Sequence, residues 1–101
     1  MSLERLLDEA GGKLVNGDPD GAIPILTRAI KSITPEDKLA DVIMAYRSRA
    51  LAHLSTDPWQ LELAKEDLTT IIGIDETPYE SLIYRGMIGY HQGDINGAII
   101  D

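Results

Sequence analysis

Asn16-Gly17-Asp18-Pro19-Asp20-Gly21-Ala22-Ile23 and Gln92-Gly93-Asp94-Ile95-Asn96-Gly97-Ala98-Ile99 are two copies of one phrase: Gly-Asp, any two residues, then Gly-Ala-Ile. Each part of it has a helical meaning. Gly ends one helix, and Asp caps the next by accepting from an orphan backbone amide. The small Ala lets two helices approach closely. A middle stretch, Thr56-Asp57-Pro58 leading to Ala64, is a looser version of the same phrase. Periodicity of this kind bears on the fold before any single segment does. It describes helix–turn–helix units in series.

The punctuation recurs elsewhere. Asp18-Pro19, Thr34-Pro35, Asp57-Pro58 and Thr77-Pro78 each join a good N-cap residue to a proline suited to the first helical position. Gln60 and Glu80, three residues after Asp57 and Thr77, suit a capping box. Asp94 makes a fifth start without proline. Between these marks the apolar spacing is helical: Leu3, Leu6, Leu7, Ala10 and Leu14; then Leu39, Val42, Ile43, Tyr46, Ala50 and Leu54; then Leu61, Ala64, Leu68, Ile71 and Ile72. The spacing predicts an all-α chain of about six helices, 2–16, 19–33, 35–55, 58–73, 78–92 and 95–101. The short links make successive helices antiparallel neighbours. The expected organisation is one domain, 1–101, of hairpins at about 2–33, 35–73 and 78–101. Pro24 falls inside the second helix, where a proline costs about 3 kcal/mol and is expected to kink it.

Composition narrows the partners. Hydrophobic residues make up 44% of the 101, too many for a disordered chain despite 26% charged residues. With no Phe and one Trp, the core must come from Leu, Ile, Ala and some Tyr, a palette that favours helices. A net charge of −8, without any cluster of Lys or Arg, argues against nucleic acid and against an anionic membrane surface. Absence of Cys excludes disulfides and thiolate metal sites. Residues 1–16 contain Glu4, Asp8 and Glu9 and no continuous apolar run, so they do not read as a signal peptide. No apolar stretch approaches the roughly 20 residues of a bilayer span. A cytoplasmic location is the expectation.

The repeat resembles the tetratricopeptide repeat, a helix–turn–helix unit of about 34 residues with small residues at fixed contact points. The last copy carries the resemblance best, through Tyr84-Arg85-Gly86, Gly89-Tyr90, Gly93-Asp94 and Ala98-Ile99; Arg49-Ala50, Leu54, Ala64, Leu68 and Asp75 carry it in the middle copy, and Gly17-Asp18, Ala22, Leu26 and Ala29 in the first. Nearly the whole chain is covered, as about two and a half repeats. The middle copy holds about two extra residues between Asp57 and Leu63. In the first copy one register buries Glu9 and Lys13; another buries Leu7, Ala10 and Leu14 with a shorter turn, and burial favours it. The resemblance implies a right-handed α-solenoid that binds proteins, an adaptor or scaffold.

The first helix of each hairpin in that family lines a concave groove for a peptide or helix. Carried over residue by residue, the groove here holds Leu7, Leu14, Met44, Arg47, Leu51, Ile83, Met87 and Tyr90. Such an apolar, Met-bearing surface suits an amphipathic helix or an apolar extended peptide, and the same side chains also suit a core. Family members that grip acidic chaperone tails use Lys, Asn and Arg; here those positions hold Leu, Gly, Ile and Met, with Gly11 in place of an Asn, so that role is not expected. The last hairpin is left uncapped. Its Ile88, Ile95, Ile99 and Ile100 are candidates for self-association into a homodimer, or for contact with a further helix beyond Asp101.

Nothing points to catalysis, a cofactor or a metal. His53 and His91 are far apart and lack a partner at ligand spacing. Glu66-Asp67 are adjacent, hence about 100° apart on a helix, and read as a solvated face. Gly11-Gly12 and the glycines around Asp18 lack the Lys-Ser/Thr of a phosphate loop. Ser48, Ser55 and Ser81 have no activating base nearby in sequence.

Overall fold

The structure, a computed structural model, describes residues 3–56, 58–75 and 78–91, with the backbone alone at 89–91. Those residues form five α-helices: α1 (Leu3–Val15), α2 (Pro19–Lys31), α3 (Leu39–Leu54), α4 (Leu61–Ile74) and α5 (Tyr79–His91). Among the described residues there is no strand. The all-α expectation holds. The expected sixth helix, 95–101, and the second copy of the opening phrase lie outside the described residues.

At the α1–α2 joint the phrase does what its chemistry says. Gly17, at φ +74°, is the left-handed residue that stops α1. The amide of Asp18 then donates to the Lys13 carbonyl (2.8 Å) and that of Gly17 to Leu14 (3.1 Å), a paired closure of a helix C-terminus. Asp18 caps α2, its Oδ1 accepting from the Gly21 amide at 2.9 Å. The second Gly has its own reason. A Cβ on Gly21 would sit 2.3 Å from Asp18 Oδ2, so the carboxylate folds onto the amide only because no side chain is there. Ala22, fully buried, follows at the contact between the helices.

Two other expected starts are corrected. The third helix begins at Leu39 and the fourth at Leu61, not at 35 and 58. Thr34-Pro35 opens a turn instead: the Asp37 amide donates to the Thr34 carbonyl (3.1 Å), and Asp37 Oδ2 accepts from the Thr34 amide (2.8 Å). Proline's fixed φ serves the second position of a β-turn as well as the first position of a helix. Pro58 likewise sits in a turn, with its carbonyl 2.9 Å from the Thr56 hydroxyl. The expected capping-box residue Gln60 is itself the N-cap of α4 and makes no side-chain cap bond. The last described start agrees within one residue, the Leu82 amide donating to Pro78 (2.9 Å).

Each helix packs on the next in sequence, and α1 also meets α3. Two apolar clusters result. Leu3, Leu6 and Ala10 of α1 join Ala22, Ile25, Leu26 and Ala29 of α2 and Ala45 and Ala52 of α3. Ala50 of α3 joins Ala64, Leu68 and Ile71 of α4 and Ile88 of α5. Helix α3 therefore faces both clusters, and its alanines allow close approach on either side. Glu9 and Lys13 are exposed while Leu7 and Leu14 are partly buried, which agrees with the register favoured on burial grounds. Pro24 stays inside α2 without ending it. Both it and Asp20, whose carbonyl its missing N–H would have served, are exposed, so solvent can satisfy that carbonyl. No described helix is long and apolar enough to cross a membrane.

Two stability measurements check this account. In an Asp18→Ala background, Gly21→Ala should raise unfolding free energy by about 0.5–1 kcal/mol through helix propensity. In the wild type the same change displaces the cap and should gain little, a non-additivity of about 1 kcal/mol in denaturant melts. Pro24→Ala should stabilise by about 1–3 kcal/mol, read as a rise in thermal midpoint, since it removes a proline from a helix interior at an exposed position.

Candidate functional site

Two features stand out from the packing: a buried polar bridge and an apolar hollow. Arg49 and His53 are four apart on α3 and so share a face. Arg49 Nε and Nη2 donate to Asp67 Oδ2 and Oδ1 of α4 at 2.8 and 2.6 Å, a two-pronged pair. Its Nη1 lies 3.4 Å from Thr27 Oγ1 of α2, and its guanidinium stands 5.9 Å from the centre of the Tyr46 ring. One side chain thus touches three helices. The Asp67 hydrogen bonds hold the Arg49 guanidinium above its ordinary pKa, against the opposing effect of burial.

Sequence reading placed Asp67 on a solvated face. The structure corrects this: Asp67 is 3% exposed, and His53 beside it 5%. His53 Nε2 lies 4.0 Å from Asp67 Oδ2. Its Nδ1 meets Gln60 Oε1 at 2.5 Å, a contact that places the proton on Nδ1 because a carbonyl oxygen only accepts. The Gln60 amide returns to the His53 carbonyl at 2.9 Å. The two hydroxyls that follow His53 are engaged with backbone carbonyls: Ser55 Oγ donates to Leu51 at 2.8 Å, and Thr56 Oγ1 lies 2.9 Å from the carbonyls of His53 and Pro58. With His53 and Asp67 buried and Arg49 and Gln60 closing on them from α3 and the turn, the bridge holds α3, α4 and their turn together.

The turn that Gln60 closes carries Trp59 to the rim of the hollow. Leu54, Trp59, Leu61, Tyr84, Met87 and Ile88 line a space of about 160 Å³, open on one side. Trp59 is 58%, Ile83 64% and Met87 53% exposed. Ile83 and Met87, four apart on α5, extend the apolar surface by one helical turn.

Of the residues expected to line a groove, Met87 is at the hollow and Ile83 beside it. Met44 is exposed, with Arg47 next to it (Nη2 to Sδ 3.5 Å), and Leu51 is half-buried. Leu7 and Leu14 pack against the first apolar cluster. The Tyr90 side chain lies outside the described residues. Ile88, expected at a self-association surface, is corrected: it is 2% exposed and belongs to the second cluster. Ile95, Ile99 and Ile100 lie outside the described residues. Leu54, Trp59, Leu61 and Tyr84 were not among the expected site residues. A lone Trp beside a proline in a polar stretch was the one available signal, because an aromatic set in a turn rarely points wholly into a core. Among the described residues no group of three His, Asp or Glu is placed to hold a metal.

The bridge makes a definite energetic demand. Arg49→Met leaves a buried carboxylate without its partner and should cost about 3–5 kcal/mol in chemical denaturation. The double change Arg49→Met with Asp67→Leu removes both charges and should recover most of that loss.

No protein-family model matches the chain, no curated protein matches it, and no solved structure matches it.

Proposed function

We propose that the chain is a protein-binding module of tandem helix hairpins, of the tetratricopeptide kind, that acts in the cytoplasm as an adaptor. A segment of another protein docks on the face where α5 meets the α3–α4 turn. The observation that carries this reading is the exposure of Trp59, Ile83 and Met87 around an apolar hollow. Three large apolar side chains held in water at one place are a standing cost that a partner removes. Burying one side chain of Leu or Phe size is worth about 1.5–3 kcal/mol, roughly 10- to 100-fold in affinity. Trp and Met suit the task, Trp for its contact area and Met for its adaptable thioether.

Self-association is the second reading. Tyr79, Ile83 and Met87 make an exposed stripe along α5 at i, i+4 and i+8, and a two-fold copy would cover it.

Selection from a random peptide display library on the full chain tests the first reading, with Met87→Glu as counter-selection. Peptides that bind the wild type and lose at least about tenfold on Met87→Glu are expected. Absence of any enriched sequence, or equal binding to both proteins, would reject this face as the docking site. Light scattering over a concentration series separates the second reading, since an obligate dimer keeps twice the chain mass on dilution.

A further inference from the structure

We propose that the hollow takes one side chain of Leu or Phe size from a cationic amphipathic helix of the partner. This rests on the docking reading above and adds the partner's charge and its anchor. A space of about 160 Å³ lined by six largely apolar side chains is the size that admits a single benzene-like group, because comparable apolar cavities of about 150 Å³ stay dry and bind benzene. It is too small for two anchors. One bulky side chain enters, and the turns of helix on either side of it lie over Trp59, Ile83 and Met87.

The charge follows from where the acids sit. Residues 39–101 hold ten acidic against four basic residues, and residues 1–38 seven against five. The half of the chain that builds the hollow therefore carries a net −6 of the total −8. Of its four bases, Arg49 is neutralised internally by Asp67. Among the described residues beyond 38, the exposed charged side chains are carboxylates, Glu62, Glu66 and Glu80, while the remaining bases Arg47, Lys65 and Arg85 are half-buried. The exposed bases Arg5, Lys13, Arg28, Lys31 and Lys38 all precede them. An anionic helix approaching the hollow meets repulsion, and a cationic one is steered in, with an attraction that salt weakens.

Trp59 is the sole tryptophan and sits at the rim, so its emission reports occupancy directly. Three synthetic helical peptides without Trp or Tyr make the test on the full chain: one with a Lys-rich polar face and a central Phe, one with the same apolar face and a Glu-rich polar face, and the Lys-rich peptide with Phe→Ala. The first should change Trp59 emission saturably, and its affinity should fall as salt is raised. The other two should bind at least about tenfold more weakly. Met87→Glu should abolish binding of the first peptide although it adds a carboxylate; simple adhesion of a cation to an acidic surface would instead tighten. The Phe→Ala comparison needs no change in the protein, so it stands even where Met87→Glu fails to fold.

Equal binding by the Glu-rich peptide would overturn the cationic partner while leaving a docking face in place. Silence of Trp59 towards every peptide would overturn the anchor and its cationic helix, while the display selection decides the docking reading separately. Emission that varies with protein concentration alongside a doubled mass would put a second copy in the hollow. A change of emission in peptide-free Ile95→Asp/Ile99→Asp full chain would put the chain's own last residues there. Either result overturns the proposal.

Discussion

Arg49 and Asp67 meet where α3 lies on α4, and the rest of the arrangement is constrained by that meeting. A carboxylate removed from water is tolerated only when its oxygens are saturated and its charge is balanced. Both requirements fall on one guanidinium, whose planar fork fits a carboxylate edge on. The pair sets the rotation of α3 against α4, because turning either helix carries Arg49 and Asp67 apart. Contact with Thr27 carries the same constraint to α2. A bridge of this kind is not a large net source of stability against an apolar alternative. Its effect is on register, since a rotated or slid helix would strand a buried charge.

Fixing α3 on α4 also fixes the turn between them. His53 shares its face with Arg49 and meets Gln60 through its ring, while its carbonyl accepts from the Gln60 amide. Gln60 is thereby tied to the end of α3, and α4 starts one residue later. Trp59 precedes Gln60 and is held outside both helices, with its ring at the rim of the hollow. Had α4 begun at Pro58, Trp59 would have taken a place on a helical face. The polar bridge and the apolar hollow are parts of one construction. The first positions the second without touching what would bind there.

Helix α3 explains why the described helices stay together. Ala45 and Ala52 face one cluster and Ala50 the other, so α3 lacks a single apolar stripe and has two narrow ones. Between them run Arg49 and His53. Small residues on two faces and polar ones on a third belong to a helix wedged between neighbours, not to one lying on a surface. At the far side α5 contributes Ile88 to the second cluster and leaves Ile83 and Met87 outside.

The helices were legible in the sequence because apolar spacing of three and four is a local property, and so was the joint at Gly17-Asp18, where every interaction spans five residues or fewer. The starts after Thr34 and Thr56 were misread because proline meets the same local requirement in a turn as in a first helical turn. Met87 and Ile83 are exposed, although their spacing suited a core as well as a surface. The burial of Asp67 and His53 was not legible, since adjacent carboxylates on a helix look the same whether water or an arginine 18 residues away satisfies one of them. Ile88 was assigned to the wrong side of α5 for a related reason: seven large apolar or aromatic residues, Tyr79, Leu82, Ile83, Tyr84, Met87, Ile88 and Tyr90, are available to that helix, and only packing against its neighbours selects which of them it buries. Sequence by itself determined the helices, the first joint and the acidic charge, all of which depend on near neighbours or on simple sums. Tertiary structure alone decided the charge bridge, the displaced turn and the hollow, because each depends on which faces of distant helices come together.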